Sequence, residues 1–210
     1  MYAPQHFQPD DAALRDLLSA AVVGHLVTST PAGPMATMLP IAVDFSGNRV
    51  LAHMARQNRQ WQTPWLGEAL IIVQGPDAYV SPSWYASKAE HGRVVPTWNY
   101  AAVHICGPLR VHDDESWVRE AVRYLTDQHE QHRERPWSID DAPKEFMTGQ
   151  LRAIVGIELE IARVEASMKM SQNKSAADHA GVVAGLTAQG DAASAQVAAL
   201  MQQIRDSHQP

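Results

Sequence analysis

Between Val22 and Met54 the chain lays down three β-like runs with almost nothing between them. Val22–Thr28 gives way to the turn Pro31-Ala-Gly-Pro34, Met35–Val43 to Ser46-Gly-Asn48, and Val50–Met54 closes the series. Connectors this short and this rich in Gly, Pro and Asn join neighbouring antiparallel strands, so the spacing predicts a β-meander.

The rest of the chain fits around that meander. Pro9-Asp10-Asp11 ahead of Leu14, Leu17 and Leu18 reads as a capped amphipathic helix, its acidic residues favouring the N-terminal dipole. Ala69–Val73 reads as a short strand, and Val103–Val111 as another, entered from an aromatic segment. From Ser116 to Gln131 the period changes, with Trp117, Val118, Ala121, Val122 and Leu125 at helical spacing behind three acidic residues. Pro143 followed by Phe146, Met147 and Leu151 suggests a second short helix. Val155, Ile157, Leu159 and Ile161 then alternate with Gly156, Glu158, Glu160 and Ala162, as in a half-buried strand. About six strands, an inserted helical region and a final strand predict a mainly β fold with helices (α+β), most simply a β-barrel. Ser175–Arg205 reads as two short helices broken at Gly190, with Val197, Leu200, Met201 and Ile204 in one apolar stripe. The expected division is a barrel with inserted helices over 1–166, then a polar loop and helical appendage over 167–210.

Composition narrows the setting. Hydrophobic residues make up 45% and charged residues 19%, as in ordinary globular chains, and no apolar run approaches the length of a bilayer span. The start MYAPQHFQPDD has neither a basic nor an apolar signal region. The single cysteine, Cys106, excludes an intrachain disulfide and sits in an apolar run as a small hydrophobe. The expected location is the cytoplasm. A net charge of −6 works against non-specific attraction to polyanions.

Within Tyr79–Tyr100, the segments Tyr79-Val-Ser-Pro-Ser-Trp-Tyr85 and Val95-Pro-Thr-Trp-Asn-Tyr100 gather two Trp, three Tyr and two Pro. Rings with a polar tip, on backbone stiffened by proline, suit a flat heteroatom-rich ligand or a subunit interface. No Gly-rich dinucleotide fingerprint, P-loop or Gly-x-Ser-x-Gly elbow is present. A nucleotide-like ligand would therefore be held by side chains and barrel backbone. Two polar clusters qualify. His53-Met-Ala-Arg56-Gln-Asn58-Arg59-Gln-Trp61 offers forked and amide donors just past a strand, and Lys169-Met-Ser171-Gln172-Asn173-Lys174 offers ammonium, hydroxyl and amide groups just past another. Taken alone, each also reads as a solvated loop.

An ordered set of motifs resembles the PaiB-type FMN-binding regulators, a family of split-barrel flavin proteins. It comprises Met1-Tyr2, Pro4 and Phe7; Thr37–Pro40; His53-x-Ala-Arg56-x-Asn58; Gly75-Pro76; Ser81–Tyr85; Pro96–Tyr100; and Lys169-x-Ser171-Gln172-Asn173. Met170 departs from the pattern, where Leu is more typical. The resemblance implies a split β-barrel that forms a homodimer and holds FMN between subunits. It implies that Thr37, Met38, Leu39 and Pro40 line the isoalloxazine through backbone, and that Arg56 and Asn58 reach the phosphate or ribityl chain. Lys169, Ser171 and Gln172 would close the phosphate end, and Trp98 and Tyr100 would border the ring or the opposing subunit.

Histidines carry less. His129 and His132, at i and i+3 beside Arg133, Glu134 and Arg135, fit an exposed charged face, so no metal site is expected. His25 and His104 lie in β-like runs; they keep a haem-binding split barrel open as an alternative. Ser175–Ile204 contains no Lys or Arg and so lacks the phosphate anchors of a recognition helix, which argues against direct DNA binding. No nucleophile–base pair is evident. The leading expectation is an FMN-binding homodimer with a regulatory or redox-sensing role. An NAD(P)H-dependent flavin reductase or oxidase is the enzyme alternative.

Overall fold

The fold is that of a computed structural model, which describes residues 1–207. Two compact units emerge: a central unit of Arg15–Val73 and His104–Glu165, and a terminal unit of Met1–Leu14, Gln74–Val103 and the residues from Ala166 onward.

The expected meander is there: β1 (Val23–Thr30), β2 (Gly33–Asp44) and β3 (Arg49–Ala55) are antiparallel, with Val23 opposite Pro40 and Ile41 opposite Ala52. A two-residue turn joins β1 to β2, closed by Thr30 opposite Gly33, whose φ of 118° suits glycine. Pro34 thus belongs to the strand rather than to the turn. The remaining strands are β4 (Ala69–Val80), β5 (Thr97–Gly107), β6 (Leu109–His112), β7 (Ile154–Glu160) and β8 (Arg163–Lys169). The sheet order is β6-β7-β3-β2-β1-β4-β5-β8. Eight strands stand where about six were expected. Pro108, which has no N–H to donate, separates β5 from β6 within what reads as one run, and β8 is an addition.

In the central unit burial alternates along β1, where Leu26 is buried, and along the start of β4, where Ile71 is, whereas β2 from Ile41, β3 around Leu51 and β7 over Val155–Leu159 are buried on consecutive residues, so β7 is covered on both faces rather than half-buried. α3 (Glu115–Glu130) buries Val118, Ala121 and Leu125, and Asp114 caps it by accepting the Trp117 N–H at 2.9 Å. Gly156 on β7 leaves room for the Trp117 ring, which a Cβ there would meet at 2.1 Å. α4 (Lys144–Arg152) supplies Met147 and Leu151. At the β2–β3 turn, Asp44 accepts from Ser46 Oγ at 2.6 Å, from the Gly47 N–H at 2.9 Å and from Arg49 Nε at 3.0 Å. Chiefly through the Ser46 bond, these lower its pKa to about 2.

In the terminal unit, the Asp10 cap starts α1 (Asp11–Ser19), as the sequence suggests. The aromatic segment is part strand, part the 3₁₀ turn Pro82–Trp84 and part the short helix α2 (Ser87–His91). α5 (Ala176–Gln189) and α6 (Ala192–Ser207) part at Gly190, φ 75°, where the sequence reading places the break. Val197 and Met201 are fully buried, whereas Leu200 and Ile204 are half-buried. Gly181 and Gly185, one turn apart on α5, make room for Trp84: a Cβ on Gly181 would stand 2.0 Å from the Trp84 carbonyl oxygen.

Candidate functional site

β2 is paired on both sides over only part of its length. Its first half faces β1 throughout, but its ladder with β3 covers only Ile41–Asp44, and β3 beyond Ala52 is paired only with β7, which it follows over its whole length. The other edge from Pro34 to Pro40 therefore has no strand partner among the described residues. The Ile41 N–H donates to the Val22 carbonyl on the β1 side. Because backbone direction alternates along a strand, odd-numbered residues of β2 spend their amides on β1 and even-numbered ones point outward. The free edge thus offers the N–H and C=O of Ala36 and Met38 and the carbonyls of Pro34 and Pro40. Both prolines fall where no ladder donor is required. Side chains follow the same parity: Pro34, Ala36, Met38 and Pro40 are exposed, and Leu39 is buried.

Behind this edge lies a buried amide that sequence reasoning missed. Gln60, 1% exposed, donates through Nε2 to the Leu26 carbonyl at 3.1 Å, to Thr28 Oγ1 at 3.1 Å and to the Met35 carbonyl at 3.2 Å. Its Oε1 accepts from the Thr37 hydroxyl. Asn58 donates to Thr37 Oγ1 at 3.0 Å and accepts the Gln60 N–H at 2.9 Å, capping the 3₁₀ turn Arg59–Gln62. One triad, Thr37–Asn58–Gln60, therefore fixes the β3 exit against the β1–β2 pair. The only trace of it in the sequence is a capping Asn two residues before a Gln, in a stretch that also reads as a solvated exit.

Arg56 and Arg59 differ sharply. Arg56 donates Nε to the Arg152 carbonyl at 2.7 Å and Nη2 to Asp113 and to the Ile154 carbonyl, leaving Nη1 without an acceptor among the described residues. The Asp113 carboxylate raises the Arg56 pKa further, so its charge is permanent. Arg59 is exposed and has no ion-pair partner among the described residues.

The other expected residues lie in the terminal unit. Lys169 Nζ donates to Thr97 Oγ1, Ser171 Oγ bonds Asn99 Oδ1 at 3.0 Å, and Gln172 bonds the Met170 N–H and the Met168 carbonyl. Ser171 holds φ 61°, a left-handed conformation uncommon outside glycine. Asn99 is fully buried and also donates to Met201 Sδ at 3.3 Å. Trp98 is 53% exposed and meets Tyr79 edge-on at 6.2 Å, while Tyr100 is half-buried. The predicted residues thus form two clusters, one in each unit.

Among the described residues, no helix is long and apolar enough to cross a membrane, and no group of three or more His, Cys, Asp or Glu could hold a metal ion.

Residues 1–163 match the family model described as "Putative FMN-binding domain". "Protease synthase and sporulation protein PAI 2" of Bacillus subtilis (strain 168) is 30% identical over 206 residues, covering 96% of this chain and 97% of that protein. Among solved structures, the conserved hypothetical protein Rv2991 of Mycobacterium tuberculosis superposes with a TM-score of 0.58 at 12% identity, over 82% of this chain and 92% of that one. The FAD and heme binding protein of Mycobacterium smegmatis gives 0.54 at 15%, over 81% and 77%. These likenesses carry the fold, a split β-barrel. Family match, near full-length relative and fold agree, and the chain belongs to the PaiB-type family of FMN-binding domains.

Proposed function

We propose that the protein is a cytoplasmic, homodimeric flavoprotein that binds FMN along the open edge of β2 and acts in regulation or redox sensing. The observation that carries this reading is the unpaired Pro34–Pro40 edge, backed by the Thr37–Asn58–Gln60 triad. A flavin ring needs a flat surface with alternating donors and acceptors. The outward N–H and C=O of Met38, with the Pro40 carbonyl, supply that pattern on rigid backbone. For the phosphate, Nη1 of Arg56 and the guanidinium of Arg59, neither with an acceptor among the described residues, are the cations at the strand exit, suited to forked contacts with phosphate oxygens. Asn58, both ends of its amide engaged, would act by holding Thr37 and Gln60 in place. Lys169, Ser171 and Gln172 remain proposed phosphate-end contacts, and Trp98 and Tyr100 proposed contacts of the ring or of a partner subunit.

Bound flavin supplies redox chemistry, and the protein's part is to orient it and set its electrostatic surroundings.

The test is reconstitution with FMN, followed by visible absorption and equilibrium dialysis. Retained flavin with micromolar or tighter affinity is the expected result. Replacing Arg59 or Arg56 with Ala should weaken FMN about tenfold and riboflavin much less, since only FMN carries the phosphate. No retained FMN would overturn the reading, and a dominant Soret band on the purified protein would favour haem instead.

A further inference from the structure

The terminal unit contains a cavity whose two cations, Lys174 and Arg205, the flavin reading does not use, although Gln172, a proposed phosphate-end contact, borders it. Its volume is about 750 Å³, within the range of small-molecule sites. Met168 and His179, 3% and 6% exposed, lie deepest, and Ala13 and Ile204 add apolar wall. Lys174, Arg205 and His6 also line it, against one carboxylate among the described residues, Asp10. Asp10 is already engaged as the α1 cap, accepting the Ala13 N–H at 2.8 Å. Among the described residues, neither Lys174 nor Arg205 has a carboxylate within ion-pair distance. The Lys174 ammonium sits 5.1 Å above the Tyr85 ring centroid instead.

We propose that this cavity binds a small organic anion, a carboxylate or phosphate on an apolar body, with Lys174 and Arg205 meeting its charge.

Arg205 has no acidic partner among the described residues, whereas Arg49, Arg56, Arg110, Arg119, Arg123, Arg133, Arg152 and Arg163 each have one, and Lys174 acts on the Asp178 carboxylate only from beyond ion-pair distance. Burial disfavours a charged His179, and the nearby Arg205 guanidinium disfavours it further, against a smaller opposing hydrogen bond with the Met201 backbone. Arg205 is thus near enough to the cavity interior to act there. An anion held by the two cations would pair with their charge, while its apolar body would cover Met168, Ala13 and Ile204. Gln172 also borders the space, but both ends of its amide are satisfied by Met170 and Met168. Recognition therefore falls to the cations.

The experiment is isothermal titration of the full chain, loaded with FMN, using benzoate, phenyl phosphate and neutral benzamide as probes. At least one anion is expected to bind with sub-millimolar affinity, and benzamide at least about tenfold more weakly. The preferred anion identifies the head group. Arg205→Gln and Lys174→Gln should each weaken the better anion about tenfold, with far-UV circular dichroism and flavin absorption unchanged. Lys174 is exposed, so its variant serves if Arg205→Gln fails to fold. Equal binding of benzamide and the anions, undiminished affinity in both variants, no binding of either anion, or displacement of FMN by the probe would overturn the proposal.

Discussion

Gln60 is the side chain on which the candidate flavin edge most depends. It is buried, and its single amide bonds both strands of the β1–β2 pair and the Thr37 hydroxyl. Replacing it with Leu keeps much of the volume but removes every one of these bonds, leaving Thr28 Oγ1 without its donor and the Thr37 hydroxyl with Asn58 alone. A loss of about 2–3 kcal/mol is expected, read from the urea midpoint at constant m. FMN affinity should fall with it, because the edge loses its brace. An unchanged midpoint would mean that the amide contributes nothing net. This residue was illegible in the sequence. A lone Gln in a polar stretch has no periodicity, and only the fold brings Leu26, Thr28 and Met35 to it. Arg56 and Asn58, by contrast, were legible as donors at a strand exit, but their partners, Asp113 and Thr37, lie 57 and 21 residues away.

At the scale of elements, α5 is shaped by what it lacks. Alanine normally outranks glycine in a helix by about 1 kcal/mol, so Gly→Ala in an open helix stabilises. Gly149 on α4 is such a place, with nothing within 4 Å of an added methyl, whereas a methyl on Gly181 would meet the Trp84 carbonyl oxygen at 2.0 Å. Gly149→Ala should therefore raise the thermal midpoint and Gly181→Ala lower it, the latter by about 2 kcal/mol or more in stability. Equal shifts of the same sign would show that Trp84 does not pack closely on α5. Trp84 thus serves packing, a role the aromatic richness of Ser81–Tyr85 could not separate from ligand binding. Alternation alone does not make a strand legible: β7 was read from it, whereas β8, where Arg163, Glu165, Ser167 and Lys169 alternate as strictly with Val164, Ala166 and Met168, was not, its apolar positions being few and its burial confined to Ser167 and Met168.

For the whole molecule, the decisive quantity is exposed apolar surface. The terminal unit exposes Tyr79, Val95 and Trp98, and the central unit exposes Met38 beside an unpaired strand edge. Free edges and aromatic surface are features that chains cover by association. A homodimer burying more than about 1,000 Å² is expected, and light scattering at micromolar concentration should return twice the chain mass of 23.1 kDa. A monomer that still holds FMN tightly would rule out a flavin site shared between subunits. The meander, its mixed helices and the family were legible because they rest on local periodicity and on motifs in order. The homodimer is expected from the resemblance alone, since no local period encodes assembly, which depends on the faces left uncovered once the chain has folded.

The two prolines of β2 also constrain how relatives of this chain can vary in length. Pro34 and Pro40 are six residues apart, so both lie on the outward parity. A single residue inserted into the Pro31-Ala32 turn that shifted the ladder by one would face both toward β1, where each would forfeit a hydrogen bond, and would bury the exposed side of the strand. An insertion of two could preserve the phase. Length changes tolerated in this hairpin should therefore come in even steps, with the prolines as the markers of phase.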